Sequence, residues 1–390
     1  MLKKNSIFSY LFIFLMLIPF VRTRTLEDYP QIIQNFYKFS ALACSIIIIL
    51  FYPLKKNNNI KRVLPIIFMM FTYIAITLIK NSNHMSSISN CIFFMAIAIF
   101  INYQVKYNAD RIITILAYLY TIPIIINNIL VLIFPNGIYK AIVSYHHGHL
   151  LGDDNAIIYF VLPGMILLTV YSMFKYNKIT KFVWFNLILS ELVFIKLWAA
   201  SAIIAFFVFI LLLIIGTKIK KLSANKLLIG LIVFCVIIFE GLNLPIVNNF
   251  VVNVLHKSIT FSGRTYLWEH GLNMIKKSPL LGYGGYYVEG RSYLSNFRLY
   301  PVHTTYLQIL VDGGLILFSQ FMYIIIRTFK KLNQYKKNNI SQIFLAGLIG
   351  IGMSYTFEQS GLYHLMIIIP LILNLDSIVL KESSVVKNEN

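Results

Sequence analysis

The sequence predicts an all-α, polytopic integral membrane protein: one transmembrane domain over residues 1–390, with about twelve membrane-spanning helices. Three observations carry that reading. Of 390 residues, 58% are apolar and only 12% charged, whereas a soluble domain is roughly half apolar and about a quarter charged. Apolar runs recur along the whole chain at lengths that suit spans of roughly 20 residues. Lysine and arginine concentrate in alternate connections between those runs, the pattern of basic cytoplasmic loops. Twelve spans take about 240 residues. The remainder is too short for a large soluble domain, so any chemistry belongs to the helices and their loops.

The runs lie at 6–21, 36–54, 63–79, 87–103, 112–134, 156–174, 182–198, 199–216, 227–244, 305–326, 342–357 and 361–380. The first follows two lysines and resembles a signal peptide. It ends in Pro19-Phe20-Val21-Arg22 without a small-x-small cleavage pattern, so a retained helix is expected. Almost no loop separates 182–198 from 199–216. With Lys3 and Lys4 in the cytoplasm, 22 of the 34 basic residues fall inside, in every short inner loop and in the C-terminal tail. Both termini are therefore expected inside. A formal charge of +20 would suggest nucleic acid in a soluble protein. Here it fits basic inner loops and anionic lipid or phosphate ligands, with no nucleic-acid partner. Cys44, Cys91 and Cys235 sit in apolar stretches without a CxxC spacing, so neither a disulfide framework nor a cysteine metal site is readable.

Two outer connections are informative: 136–155 and the longest, 245–304, which holds six basic residues. A long connection inside a compact domain is usually functional. A short helix is expected over 262–277, capped by Ser262. The long loop contains Ser262-Gly263-Arg264, Trp268, the turn Pro279-Leu280-Leu281-Gly282-Tyr283-Gly284-Gly285, Arg291, Arg298 and finally His303 where the chain re-enters the membrane. Arginine presents a planar fork of donors that matches phosphate oxygens. A histidine at that level can accept a proton near neutral pH. Together they suit transfer chemistry on a lipid-linked diphosphate. The alternative is that the arginines anchor to headgroups and the histidine caps a helix. Glu269 and Glu289 are competing bases in the same loop.

The motif SGR-x3-W, the PLLGYGG turn and VHTTYLQILVDGGL resemble the C-terminal signature of the O-antigen ligase and polymerase superfamily, which includes Wzy-type polymerases of O-antigen and capsular polysaccharide. Ligases of that superfamily carry a histidine, an amide or hydroxyl residue, nine residues and a glycine. Here His303-Thr304 precedes nine residues and Gly314, with threonine in place of the Asn, Ser or Gln of ligases. Weaker patches of the same resemblance are Gly148 with Asp153-Asp154-Asn155, and Lys196-Leu197-Trp198 at the junction of the seventh and eighth runs.

The resemblance implies a GT-C-like membrane glycosyltransferase of the bacterial cytoplasmic membrane, working without cofactor or metal. Donor and acceptor would be undecaprenyl-diphosphate-linked oligosaccharides, joined into a surface polysaccharide beside a flippase and a chain-length regulator. It assigns catalysis to His303 and Arg264, and substrate binding to Arg291, Arg298 and Lys196. A ligase that moves finished glycan to another acceptor is the alternative within the enzyme class. A lipid-linked sugar flippase is the alternative outside it, although mid-membrane charges are few and no repeat is evident. Two readings of the residues stay open beside these. Lys196 and Glu191 are ionisable groups in an apolar run, candidates for function or for snorkelling and pairing. His146, His147, His149, Asp153 and Asp154 invite a divalent ion, but HHxH in a loop fixes no geometry, and a polar loop over the substrate cavity is preferred. The tyrosines of the long loop suit sugar rings or ordinary packing. Gly347, Gly350 and Gly352 give one run a small packing face.

Overall fold

A computed structural model describes residues 2–23, 25–26, 29–53, 59–82, 85–140, 147–240, 264–285, 292–293, 299–300, 302–359 and 362–388. The protein is a helical bundle. Its helices are α1 (Leu2–Leu17), α2 (Gln31–Phe51), α3 (Leu64–Ile79), α4 (Met85–Ile133), α5 (Ile158–Tyr176), α6 (Lys181–Lys196), α7 (Ala200–Ile214), α8 (Ala224–Glu240), α9 (Arg264–Lys277), α10 (Thr305–Gln334), α11 (Asn339–Phe357), α12 (Tyr363–Leu373) and α13 (Leu375–Asn388). Each expected apolar run overlaps these helices, with 361–380 divided between α12 and α13. Among the described residues, six helices are long and apolar enough to cross a membrane, or seven if α12 and the start of α13, bent by 62°, form one broken span. Shorter apolar helices cover Ile7–Phe20, Leu64–Ile79 and Ala224–Phe239.

Two expected runs meet at a kink. The runs 87–103 and 112–134 are two helices joined within α4, 49 residues in all. They fold back on each other, since Phe93 of the first contacts Arg22 and Pro123 of the second lines a cavity with the same Arg22. The helix breaks at Asn108 (φ −132°, ψ 43°), where Lys106, Asn108, Asp110 and Arg111 replace the apolar pattern. The polar stretch between the runs is the sharp kink that joins the two helices, where Asn108 donates to Gln104 (2.9 Å) and Arg111 to Asn108 (3.3 Å).

The bundle is built round α11, whose span is entirely buried, with α5 largely buried beside it. The small face of α11 makes this possible. A Cβ on Gly347 would stand 2.3 Å from Ile166 Cδ1, and one on Gly350 would stand 3.1 Å from the Ala205 carbonyl. Outer helices turn Phe36, Phe39, Phe68, Phe185 and similar residues outward, which in a bilayer is the lipid-facing surface.

Polar contacts sort the connections into two ends. At one end Arg62 meets Asn374 and Asp376, Lys331 meets Asp376, Lys175 meets Asp110 and Ala224 meets Asn333. At the other Arg22 meets Tyr363, Thr25 meets Leu150, Gly285 meets Thr77 and Arg264 meets Glu358. The connection 136–155 contributes β1 (Tyr139–Lys140), β2 (His147–His149) and β3 (Gly152–Asp153), paired antiparallel in that order. Two further strands, β4 (Ser292–Tyr293) and β5 (Leu299–Tyr300), form an antiparallel pair in the long connection.

Candidate active site

Three chain segments converge at the second end: α9, the entry to α10 and the exit of α11. The expected helix over 262–277 is α9, while Ser262 lies outside the described residues. Arg264, Trp268 and Gly271 follow at spacings of four and three, so they share one face. Trp268 is buried with Met274, Val302, Leu307, Val311 and Phe357, and its ring meets Phe239 edge-on at 5.1 Å. Gly271 lets the chain before α10 come close, because a Cβ there would lie 2.7 Å from Val302 Cγ1. This small second core fixes α9 against α10, and one turn away Arg264 reaches the end of α11.

The glycine motifs are a mechanical joint. The helix α10 breaks at Gly314 (φ 60°, ψ −162°), a conformation essentially confined to glycine. The break exposes backbone groups, and the Pro279–Gly284 turn satisfies them. Tyr283 and Gly284 donate to the carbonyls of Val311 (2.9 Å) and Asp312 (2.8 Å), and Leu315 donates to that of Pro279 (2.8 Å). Contact is so close that a Cβ on Gly314 would stand 2.3 Å from the Leu280 carbonyl. Asp312 accepts from Tyr73 (2.9 Å) and from Gln308 (2.7 Å), tying the joint to α3.

His303 stands immediately before α10 with φ +54°, a left-handed conformation rare outside glycine and asparagine. The following residues hold it there. Thr304 and Thr305 hydroxyls donate to the carbonyls of Tyr355 (3.2 Å) and Glu358 (3.0 Å), so the start of α10 is stitched to the end of α11. His303 Nδ1 then lies 3.8 Å from Glu358 Oε2. Arg264 donates to Glu358 Oε1 and to the Phe357 carbonyl (2.9 Å). The side chains of Arg264, His303 and Glu358 are 17%, 28% and 7% exposed. Burial pushes the Glu358 carboxyl up. The His303 imidazole and the Arg264 charge outweigh it and hold the carboxyl below its usual range. Glu358 is therefore an anion at neutral pH, balanced by Arg264 and facing a histidine.

The structure thus brings together two expected site residues, His303 and Arg264, and adds Glu358. Glu358 had a sequence signal: an acid in a chain with only 14, placed directly after the apolar run 342–357. The structure puts it at the same end as α9 and the entry to α10. Arg291 and Arg298 lie outside the described residues, as does Glu289. Lys196 ends α6 with an exposed side chain, and among the described residues it has no ion pair. Glu191 Oε2 is buried without a hydrogen-bond partner among the described residues. Glu269 sits on α9 with an exposed side chain. His149 is fully buried and pairs with Asp154 at 3.2 Å, and Asp153 accepts from the Ala156 amide (3.1 Å). His146 lies outside the described residues.

Residues 156–322 match the family model described as O-antigen ligase. The matched segment runs from α5 into α10 and includes Arg264, the Pro279–Gly284 turn, His303 and the Gly314 joint. Over this region the chain is similar to the O-antigen ligase family, in agreement with the resemblance carried by the motifs around Arg264, His303 and Gly314. The chain is also similar to the exopolysaccharide production protein ExoQ of Rhizobium meliloti, 34% identical over 77 residues. That alignment covers 17% of this chain and 18% of the relative's length. The apolar helices make the protein a multi-pass membrane protein.

Proposed function

We propose that the protein polymerises lipid-linked oligosaccharide repeat units on the outer face of the bacterial cytoplasmic membrane, without metal or cofactor. In this reading the chain is one domain crossing twelve times, with both termini cytoplasmic and 245–304 outside. Support comes from the grouping of contacts. The basic connections around Lys61, Asp110, Lys175, Lys221 and Lys331 lie at one end, and the connections bearing Arg264, His303 and Glu358 at the other.

The observation that carries the chemistry is the placement of Glu358 between Arg264 and His303. Glycosyl transfer from a polyprenyl diphosphate needs a base for the acceptor hydroxyl and a cation for the departing diphosphate. With Nδ1 facing the Glu358 carboxylate, His303 takes the acceptor proton on Nε2, and the carboxylate stabilises the imidazolium that forms. This is the logic of a base oriented by a third group. Glu358 acts through His303 and is a positioning residue. Arg264 is anchored by the same carboxylate and lends its charge to the leaving diphosphate, with Arg291, Arg298 and Lys196 as further contacts to donor and acceptor lipids. Neighbouring assembly proteins such as a flippase and a chain-length regulator complete the pathway in this reading.

The second reading is ligase transfer of finished glycan to another acceptor, favoured by the matched family's description and by the His303-Thr304 to Gly314 spacing. Deletion of the gene with sizing of the glycans separates them. Loss of a polymerase leaves single repeat units on lipid at the outer face. Long unattached polymer would establish the ligase, and lipid-linked units retained at the inner face would establish a flippase.

A further inference from the structure

Arg22 is a second arginine at the same end as Arg264, in the segment between α1 and α2. Arg62 and Arg264 each face a carboxylate, whereas Arg22, like Arg111 and Arg327, has no ion pair among the described residues. Its Nε donates to the Pro19 carbonyl (3.3 Å) and Nη1 to the Tyr363 hydroxyl (3.1 Å). Its guanidinium carbon lies 4.8 Å from the centre of the Phe93 ring and 5.3 Å from that of Tyr363. Nη2 is buried without a hydrogen-bond partner among the described residues. Among the described residues, rings and a carbonyl hold the charge in place and no carboxylate neutralises it, and a partly desolvated cation attracts an anion.

Beside Arg22 is a cavity of about 250 Å³. Apart from Arg22 and Thr23, its walls are apolar or tyrosine: Leu26, Tyr29, Tyr37, Pro123 and Ile126 among them. Tyr29 and Ile126 are 40% and 46% exposed, so the cavity opens on the bilayer-facing surface between α2 and α4. A fixed cation above an apolar, laterally open pocket matches one chemistry, a phosphate head carrying an alkyl or prenyl chain. The volume holds the head and the first carbons, leaving the rest of the chain in the membrane. Tyr363 follows Glu358 by five residues, so the site adjoins the Arg264 cluster without sharing a side chain with it.

We infer that Arg22 and this cavity bind the phosphate head of a membrane lipid, at a site separate from the Arg264–Glu358–His303 cluster. Binding is read without turnover, so the failure of the polymerase reading and the failure of this one are distinguishable. The full chain in detergent is titrated with phosphatidylglycerol, and with diacylglycerol, which lacks phosphate, while bound lipid is followed by native mass spectrometry. Phosphatidylglycerol is retained and diacylglycerol is not. Arg22→Gln weakens retention about tenfold or more, as expected for lost charge-assisted hydrogen bonds, while Arg264→Lys leaves it unchanged. Ile126→Trp, on the exposed rim, closes the cavity and lowers retention with Arg22 intact, which keeps the test decisive if Arg22→Gln fails to fold. Undecaprenyl phosphate that displaces phosphatidylglycerol assigns the site to a lipid-linked substrate, and failure to displace assigns it to a bilayer phospholipid. Equal retention of diacylglycerol, or unchanged phosphatidylglycerol binding in Ile126→Trp and in folded Arg22→Gln, overturns the inference.

Discussion

Each end of the bundle carries an arginine–carboxylate pair, and the two pairs are built differently. Arg62 grips Asp376 with both guanidinium nitrogens (3.0 and 2.6 Å), and Lys331 adds a second cation at 3.3 Å. Both oxygens of Asp376 face cations, and Nη1 of Arg62 also donates to Asn374 (2.7 Å). At the opposite end Arg264 divides its fork between the Phe357 carbonyl and one oxygen of Glu358. The second oxygen faces His303. The first arrangement ties α13 to the segment before α3 and to α10. The second leaves a carboxylate oxygen to orient a base. Similar residues give a latch where cations surround the carboxylate and a candidate catalytic site where one oxygen meets an imidazole.

The sharpest test of that contrast is His303→Ala. Loss of a general base costs about 10²–10⁴ in rate, so polymer should vanish while single repeat units accumulate, as seen by glycan sizing. Asp376→Asn, at the latch, should keep normal chain length per folded molecule. A dead Asp376→Asn at normal expression would erase the distinction between the ends. Arg264→Lys comes next. It keeps the charge and loses the fork, and one such contact in a dry site is worth about 3 kcal/mol, roughly a hundredfold in rate. Arg62→Lys should stay within a few fold, and equal loss in both would make Arg264 a structural anchor.

Stability sharpens the comparison further. Glu358→Gln leaves Arg264 without its carboxylate, and breaking a buried pair costs about 3–5 kcal/mol, visible in thermal unfolding at pH 7. The more exposed Arg62–Asp376 pair should lose less. The sign with pH follows from the lowered folded-state value of Glu358. Its contribution is complete above the ordinary carboxylate range near 4.5, and is lost as pH falls through the lower folded value. Wild type should therefore lose stability in that acid window, and Glu358→Gln should show a flatter profile there. Gly314→Ala should cost about 1–3 kcal/mol from backbone strain alone, before the clash with Leu280. A neutral Gly314→Ala would separate the joint from the site. The smallest perturbation tests which face each end occupies. In a variant with its three native cysteines replaced, Lys276→Cys on exposed α9 should react with an impermeant thiol reagent in intact spheroplasts. Labelling only after lysis would turn the proposed orientation over.

How much of this was legible beforehand depended on range. Hydropathy located the membrane helices, since a lipid-facing surface must be apolar wherever the helix packs. It divided 87–134 into two runs, and the structure has two helices there that meet at the Asn108 kink. The motifs around Gly282 and Gly314 were legible as motifs. Their role was not, because it consists of backbone hydrogen bonds between segments about 30 residues apart. His303 and Arg264 were legible as a base and a cation of one loop, and Lys196, grouped with them as a substrate contact, ends α6 with an exposed side chain.

The sequence by itself determined the solvent of this protein, its helices and the pair of residue types at its candidate site, because hydropathy and charge act residue by residue. Only the tertiary structure decided which carboxylate serves that site. Glu358 is 55 residues beyond His303 and 94 beyond Arg264, and no local pattern brings it there. The threonines after His303 bond to the end of α11, and Trp268 packs α9 beneath them, so the meeting of the three side chains is a property of packing between helices.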